Sequence, residues 1–235
     1  MARLASMLLV LGLLGGTAVA FAITESLKLE PSPIRRPKVV PPVFSPVCAC
    51  EKETASIGFR LRKADEIIVE VVDAGGKVVR TLLPRTLRRG TVRLRWDGRD
   101  EDGKVVGEGR YRPRVALARQ ERTIDLPNTI RVDTTPPTLV LLRPPRRSFS
   151  PNGDGVAEGI NARYRVDEPA HGLLYVDAAV VARTRFQRLE DQVAWYGSAN
   201  GRPFPAGVHS VSVGAEDTAG NRSRRTRAFR VRISR

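Results

Sequence analysis

The chain has 235 residues, of which 40 are Lys or Arg and 25 are Asp or Glu, so its formal net charge is +15. With 41% apolar residues it can bury a core, which excludes a disordered chain, and 20 Gly and 17 Pro are too few for a collagen-like filament. Two Cys and two His exclude a disulfide-stapled scaffold and argue against a Cys/His zinc centre.

The amino terminus contains a segment suited to a membrane. Residues 4–24 carry no charge over 21 positions, which is long enough to cross a hydrocarbon layer as a helix. Small-x-small sequences at 18–20 and 20–22 are typical of signal-peptidase cleavage sites. We therefore predict that residues 1–24 are either a cleaved signal peptide or a signal-anchor transmembrane helix. An anchor gives a single-pass protein of the cell membrane with extracytoplasmic domains, and a cleaved signal gives a secreted protein.

A proline-rich segment comes next. Residues 31–46 contain six prolines, each of which fixes φ and lacks a backbone donor. Chains of this composition are stiff and extended. We predict a linker over residues 25–43 that holds the folded part away from the membrane.

Beyond the linker the sequence repeats itself. The tripeptide Phe-Ser-Pro at residues 44–46 recurs at 149–151, and a Trp-x-Gly tripeptide occurs at both 96–98 and 195–197. The landmarks keep their order, and each copy has about 90–100 residues, the size of a β-sandwich domain. We predict one domain over residues 44–134 and a second over residues 135–235.

Alternating apolar and charged residues predict strands in both copies. Ile57, Phe59 and Leu61 share one face of a strand in the first copy, and residues 229–233 alternate in the same way at the end of the second. Trp96 and Trp195 fall on apolar faces, so we interpret them as core residues and not as platforms for carbohydrate. The expected fold is all-β, with two tandem immunoglobulin-like (Ig-like) β-sandwiches after the amino-terminal helix and the linker.

Four further motifs stand out: residues 149–155 (FSPNGDG), 73–82 (DAGGKVVRTL), 96–100 (WDGRD) with Gly103, and 109–111 (GRY). Together they resemble the Ig-like module at the C-terminus of the FlgD-type flagellar hook-capping proteins. The resemblance implies a bacterial, extracytoplasmic pair of Ig-like modules. It does not imply a flagellar role, because the hook-binding region of that family has no counterpart here and such modules are widely reused. The copies depart from each other where residues 47–50 (VCAC) replace the NGDG of the second copy and where Tyr196 replaces Asp97.

A Gly-rich loop in the second copy offers candidate calcium ligands. Asn152, Asp154 and Glu158 supply oxygen atoms at close spacing. These side chains could instead satisfy turn amides, and we prefer that interpretation because three ligands fall short of the ~6–8 that Ca²⁺ takes. No cofactor is expected.

Cys48 and Cys50 lie outside the membrane in either predicted topology, where disulfides persist. The pair is therefore a candidate disulfide or redox centre. We prefer a structural bridge that pins a loop, and an intermolecular bond is a further alternative.

The sequence contains no recognisable catalytic motif. Asp97, Asp100 and Asp102 lie in a Gly-rich turn, where capping explains them without acid–base catalysis. His171 and His209 have no nucleophile placed by spacing. We therefore predict that the protein is not an enzyme.

The predicted function is that of a structural or interaction protein of the bacterial cell surface. The alternative is a basic protein that binds a polyanion such as a cell-wall polymer, an anionic lipid or nucleic acid. Expected partners are a cell-envelope protein or an anionic polymer, and the membrane through the amino-terminal helix; nucleic acid is the least expected. The candidate polyanion contacts are Arg93, Arg95, Arg110, Arg112, Arg114, Arg224, Arg225 and Arg227.

Overall fold

The computed structural model describes residues 12–21 and 31–234. Residues 12–21 are helical. No helix within the described residues is long and apolar enough to span a membrane. The other positions of the predicted segment 1–24 lie outside the described residues, and the same holds for 25–30 of the predicted linker.

The remaining regular structure of the described residues is β-strand. In chain order the strands are β1 (Ile34–Val40), β2 (Val43–Phe44), β3 (Ala55–Leu61), β4 (Asp65–Val72), β5 (Val78–Arg88), β6 (Thr91–Trp96), β7 (Gly109–Leu117), β8 (Arg122–Asp125), β9 (Ile130–Val132), β10 (Leu139–Arg143), β11 (Ser148–Phe149), β12 (Ile160–Val176), β13 (Ala179–Arg183), β14 (Arg188–Trp195), β15 (Ser198–Ala199), β16 (Arg202–Pro203), β17 (Gly207–Glu216) and β18 (Phe229–Ile233). Strands β1–β9 pair only with one another and form module 1, and β10–β18 form module 2.

Module 1 is a sandwich of two sheets. One sheet has the order β1-β3-β6, and the other has the order β2-β9-β7-β4-β5, with β8 paired to β7. Side chains at alternate positions of β3 are buried, as the apolar pattern predicts, and they pack with Trp96 and Val115 in one hydrophobic cluster. The residues between these buried positions on β3, and those between Val92, Leu94 and Trp96 on β6, therefore point outward.

Module 2 repeats this arrangement with one long strand. The first part of β12 pairs with β10 and β14, and its second part pairs with β13 and β17. Its register shifts between Arg165 and Ala170, where the strand passes from one sheet to the other. A second hydrophobic cluster fills this module. The predicted all-β, Ig-like fold is confirmed.

Residues 34–43 do not behave as a free spacer. They form β1, which adds to the edge of the three-stranded sheet, and the start of β2, which pairs in parallel with β9 in the other sheet. Ile34 and Val39 are buried in the core, and this burial draws the segment onto the sandwich. Its prolines are tolerated because an edge strand leaves one side of its backbone unpaired.

The repeated tripeptides form the same corner in both modules. The Trp96 ring meets Phe44 and Tyr111 edge-on, with centroids 5.6 and 5.0 Å apart, and Trp195 meets Phe149 at 5.4 Å. Each indole Nε1 donates to the carbonyl three residues further along the chain, at 3.0 Å in module 1 and 2.7 Å in module 2. The prediction that both Trp residues lie in the core is confirmed.

Candidate interaction surfaces

The outer face of the sheet β1-β3-β6 is strongly basic. Lys38 lies opposite Gly58, and Gly58 lies opposite Arg93, so these three residues are cross-strand neighbours in one line across the sheet. Arg35 and Arg60 are cross-strand neighbours in the same way. Arg95 follows Arg93 two positions along β6. We call these five cations, Arg35, Lys38, Arg60, Arg93 and Arg95, the basic face. None of them forms an ion pair with the part of the chain that the structure describes.

A cleft runs across the basic face. Its volume is about 610 Å³, and its lining includes Lys38, Val40, Gly58, Arg93 and Arg95. Gly58 forms the floor, where a Cβ atom would have only the Val92 carbonyl oxygen, at 3.9 Å, within 4 Å. The cleft is therefore open to solvent, with cations on both sides.

The corresponding face of module 2 is partly neutralised. Arg163 and Arg165 on β12 pair with the two carboxylate oxygens of Glu190 on β14, at 2.5 and 2.9 Å. Hydrogen bonds from Arg165 and Arg163 hold the pKa of the Glu190 carboxyl below its usual range. At the positions of the two Arg residues of β6, β14 has Gln192 and Ala194. The two modules therefore share a fold and differ in the charge of this face.

The structure does not bring the predicted arginines together on one surface. Arg110, Arg112 and Arg114 lie on β7, whose outer face is on the side of module 1 opposite the basic face. Arg114 is bound to Asp125 at 2.7 Å and lowers the pKa of that carboxyl, and Arg112 lies 3.8 Å from the same group. This strand is therefore partly neutralised.

Arg224, Arg225 and Arg227 lie in module 2, between β17 and β18. All three are exposed, and the guanidinium carbon of Arg225 lies 3.8 Å from the centroid of the Tyr175 ring. Arg225 thus has a stacking partner. Of the eight predicted contacts, only Arg93 and Arg95 belong to the basic face.

The side chains of the candidate calcium loop in module 2 form hydrogen bonds within the loop. Asn152 donates to Asp154 at 2.9 Å, Val156 N donates to Asp154 at 2.7 Å, and Gly155 N donates to Glu158 at 2.9 Å. The Val156 amide, followed by Asn152, holds the pKa of Asp154 below its usual range. This geometry supports the preferred interpretation, in which the side chains satisfy turn amides.

Cys48 and Cys50 form a disulfide that lies against module 2. A Cβ atom on Gly220 would come within 2.5 Å of Cys50 Sγ. Lys52 Nζ donates to the Thr218 carbonyl at 2.7 Å, and Asn221 Nδ2 donates to the Asp133 carbonyl at 3.0 Å. We call these contacts, between residues 48–52 or 133–135 and residues 217–221, the junction.

Three acidic residues converge at the junction, and sequence reasoning missed this cluster. The carboxylates of Asp133, Glu168 and Asp217 offer oxygen atoms within 4.8 Å of one another. Burial raises the pKa values of Asp133 and Glu168, and the neighbouring acids raise that of Glu168 further. Both oxygens of Asp217 accept bonds, from the amides of Gly220 and Asn221 and from Asn221 Nδ2. Asp133 also accepts bonds, from Arg131 and from the Thr135 amide, so donors of the chain account for two of the three acids.

The residues considered for catalysis have structural partners. Asp97 accepts from Arg99 N at 3.1 Å and Asp100 accepts from Lys104 N at 2.9 Å, which caps the turn as expected. His171 Nδ1 lies 2.8 Å from the Thr184 carbonyl oxygen. His209 lies 2.6 Å from Asp177 and 3.0 Å from the Pro205 carbonyl oxygen, and these acceptors raise its pKa.

Comparison with known proteins identifies part of module 1. Residues 46–121 match the family model of the FlgD Ig-like domain. Over 59 residues the chain is 39% identical to the basal-body rod modification protein FlgD of Salmonella typhimurium and to that of Salmonella typhi, and this match covers 25% of the chain and 25% of each relative. The chain thus spans about a quarter of the length of these curated relatives.

Among solved structures, fibronectin(III)-like modules of Clostridium thermocellum CbhA align with 85% of the chain and 94% of their own length. Their sequence identity is 16% and the TM-score is 0.46.

Proposed function

We propose that the whole chain is a non-enzymatic bacterial interaction protein that acts outside the cytoplasm. The match of residues 46–121 to the FlgD Ig-like domain supports a structural interaction role. The chain is held at the membrane by its amino-terminal apolar segment or released after cleavage. The role of the relatives at the basal-body rod is not part of the proposal, because the match covers only a quarter of them.

The junction is the observation that carries this proposal. The disulfide loop of module 1 contacts Gly220, and hydrogen bonds from Lys52 and Asn221 cross between the modules. Two sandwiches joined in this way can present their loops and faces at a fixed separation, which suits a scaffold or adaptor. The polar groups considered for catalysis are consistent with the same role: Asp97 and Asp100 accept bonds within their own turn. His171 and His209 are held by groups of other segments, the Thr184 carbonyl and Asp177.

Two features support a location outside the cytoplasm. The Cys48–Cys50 bond belongs in an oxidising compartment, because cytosolic thiols are kept reduced. The uncharged residues 4–24 supply a segment that the secretion machinery recognises.

The test is fractionation of native cells, followed by the intact mass of the protein after its free thiols have been alkylated. We expect no alkylation of Cys48 and Cys50, and either a full-length chain in the membrane fraction or a chain lacking residues 1–20 or 1–22 in the secreted fraction. A full-length, soluble cytoplasmic chain with two alkylated thiols would overturn the proposal.

A further inference from the structure

We propose that the basic face binds an extended acidic segment of a partner polypeptide, laid along β6. This inference rests on the proposed function, because it names the class of partner that the interaction protein recognises.

Charge is the first argument. The five cations of the basic face have no acidic neighbour on their own sheet face, where the other outward residues are Val40, Ser56, Gly58 and Thr91. Arg presents a planar fork of donors that matches a carboxylate. Cations without neighbouring carboxylates gain the most electrostatic energy from an anionic partner. Binding of that partner also releases the salt ions that surround them.

Spacing favours a polypeptide among the possible polyanions. Arg93 and Arg95 project from the same face two residues apart, a repeat of about 6.7 Å along an extended chain. An extended peptide with acidic residues at alternate positions has the same repeat. Its carboxylates can therefore meet both guanidinium groups at once without bending the backbone.

The edge of the sheet provides the second set of contacts. In the order β1-β3-β6, strand β6 is the last, so one side of its backbone is unpaired within the sheet. An added strand satisfies such groups by main-chain hydrogen bonds, and the side-chain pattern then sets specificity. A second copy of β6 would place Arg against Arg, so like-charge repulsion disfavours self-pairing and an acidic strand is preferred.

The basic face lacks the aromatic side chains with which proteins bind single-stranded nucleic acid. No aromatic residue is among its nine outward residues, so the bases of a single-stranded nucleic acid have no stacking platform. Gly58 lies directly opposite Arg93 and has no side chain, so the Arg93 guanidinium group is not covered from β3 and can turn toward a peptide strand.

The experiment measures the fluorescence anisotropy of a labelled synthetic peptide of about 12 residues that alternates Glu and Thr, with the full-length protein in nonionic detergent. Removing both guanidinium groups of β6 (Arg93→Gln with Arg95→Gln) should weaken binding by at least about 10-fold, because two charge-assisted contacts are lost. The matched control, Arg110→Gln with Arg112→Gln, removes the same charge from the opposite face of module 1 and should change the affinity less than about twofold. Bound peptide should also slow amide hydrogen exchange in residues 91–96.

Three results would overturn the inference: no binding, equal loss in both double variants, or equal affinity for an isomeric peptide whose Glu residues are gathered in one block. Tighter binding of a linear polyphosphate of equal charge, with the same dependence on Arg93 and Arg95, would assign the face to a phosphate polymer instead. Circular dichroism melting of each variant shows whether it is folded. The fractionation result does not depend on peptide binding, so the two proposals can fail separately.

Discussion

Gly98 follows Trp96 by two residues at the repeated corner and has no room for a side chain. Its φ is +71°, and a Cβ atom there would come within 2.7 Å of Pro46 Cγ and 3.2 Å of Phe44 Cζ. The second copy has the same arrangement, since a Cβ atom on Gly197 would come within 3.1 Å of Pro151 Cγ. The spacing of Phe-Ser-Pro and Trp-x-Gly is thus a packing requirement, which explains why both motifs repeat.

Substitution of Gly98 by Ala should destabilise the protein by about 2–4 kcal/mol, because a left-handed conformation and a steric contact both oppose the methyl group. Gly103→Ala is the matched control, with a φ of +77° and no atom within 4 Å of the added Cβ. We expect the control to lose only about 1–2 kcal/mol. Urea unfolding followed by Trp fluorescence measures both values, and equal losses would show that contact with Pro46 is unimportant.

His209 should make the stability of module 2 depend on pH. Its bonds to Asp177 and to the Pro205 carbonyl raise its pKa, so its contribution is fully present below the unfolded value of about 6.5 and is lost as pH rises through the folded value. His209 also lowers the pKa of Asp177, whose contribution is present above the unfolded value of about 3.9 and is lost as pH falls through the lower folded value.

The unfolding free energy should therefore decline as pH rises above about 6.5 and through the raised folded pKa of His209, and Asp177→Asn should flatten that decline. Denaturant unfolding at several pH values measures the slope, and NMR titration of the His209 ring gives its pKa directly. A slope unchanged in Asp177→Asn would contradict the assignment.

Among the strands, those with strict alternation could be predicted from the sequence. Strand β3 and the closing strand β18 lie where the apolar pattern places them. Strand β1 is not predictable from the sequence, because the six prolines of residues 31–46 favour a linker. Only the burial of Ile34 and Val39 shows that this segment belongs to the core. In β12, buried and exposed residues alternate strictly only from Ile160 to Val166, because the switch between sheets near residues 167–170 breaks the pattern.

The same limits apply to the basic face. Arg93 and Arg95 could be predicted, since they alternate with Val92 and Leu94 on one strand. The cross-strand partners could not, because register between distant strands is not visible in a single sequence. For that reason the pairing of Glu190 with Arg163 and Arg165, which partly neutralises the corresponding face of module 2, could not be predicted either.

Glu190→Gln should create a weaker binding face on module 2. The change removes the carboxylate between Arg163 and Arg165 and leaves two unpaired cations on the sheet. In the background of Arg93→Gln with Arg95→Gln, we expect it to restore affinity for the alternating peptide by about two- to fivefold, with little change in stability because the ion pairs are exposed.

Glu66→Gln is the control for this gain. Glu66 lies in module 1 within 4 Å of Arg85 and Arg119, at 3.7 and 3.9 Å, so the substitution makes the same change in net charge at another sheet. Anisotropy titrations compare the two variants. If both raise the affinity equally, net charge and not the local face is responsible.

Across the whole molecule, the junction joins elements far apart in the chain. The disulfide loop of module 1 meets Gly220, and Asp217 and Asn221 form a buried turn that reaches back to Asp133. Sequence motifs predicted two domains of similar size. They do not predict this contact, because a single sequence does not show which residues from distant parts of the chain meet.

Gly220→Ala should separate the modules locally. The new methyl group would lie 2.5 Å from Cys50 Sγ, and a disulfide sulfur held by its loop has little room to move away. Gly201→Ala is the matched control in module 2, with a φ of +74° against +97° for Gly220 and no atom within 4 Å of the added Cβ. Both substitutions strain the backbone, but only the first disturbs the junction.

Hydrogen exchange followed by mass spectrometry distinguishes the two effects. Gly220→Ala should speed exchange at residues 217–221 and also at residues 45–52, where the Ser45 amide bonds to the Lys52 carbonyl within the disulfide loop. Gly201→Ala should leave residues 45–52 unchanged. If Gly220→Ala affects module 2 alone, the contact between the modules does not hold the disulfide loop in place, and the scaffold role proposed for the junction loses its support.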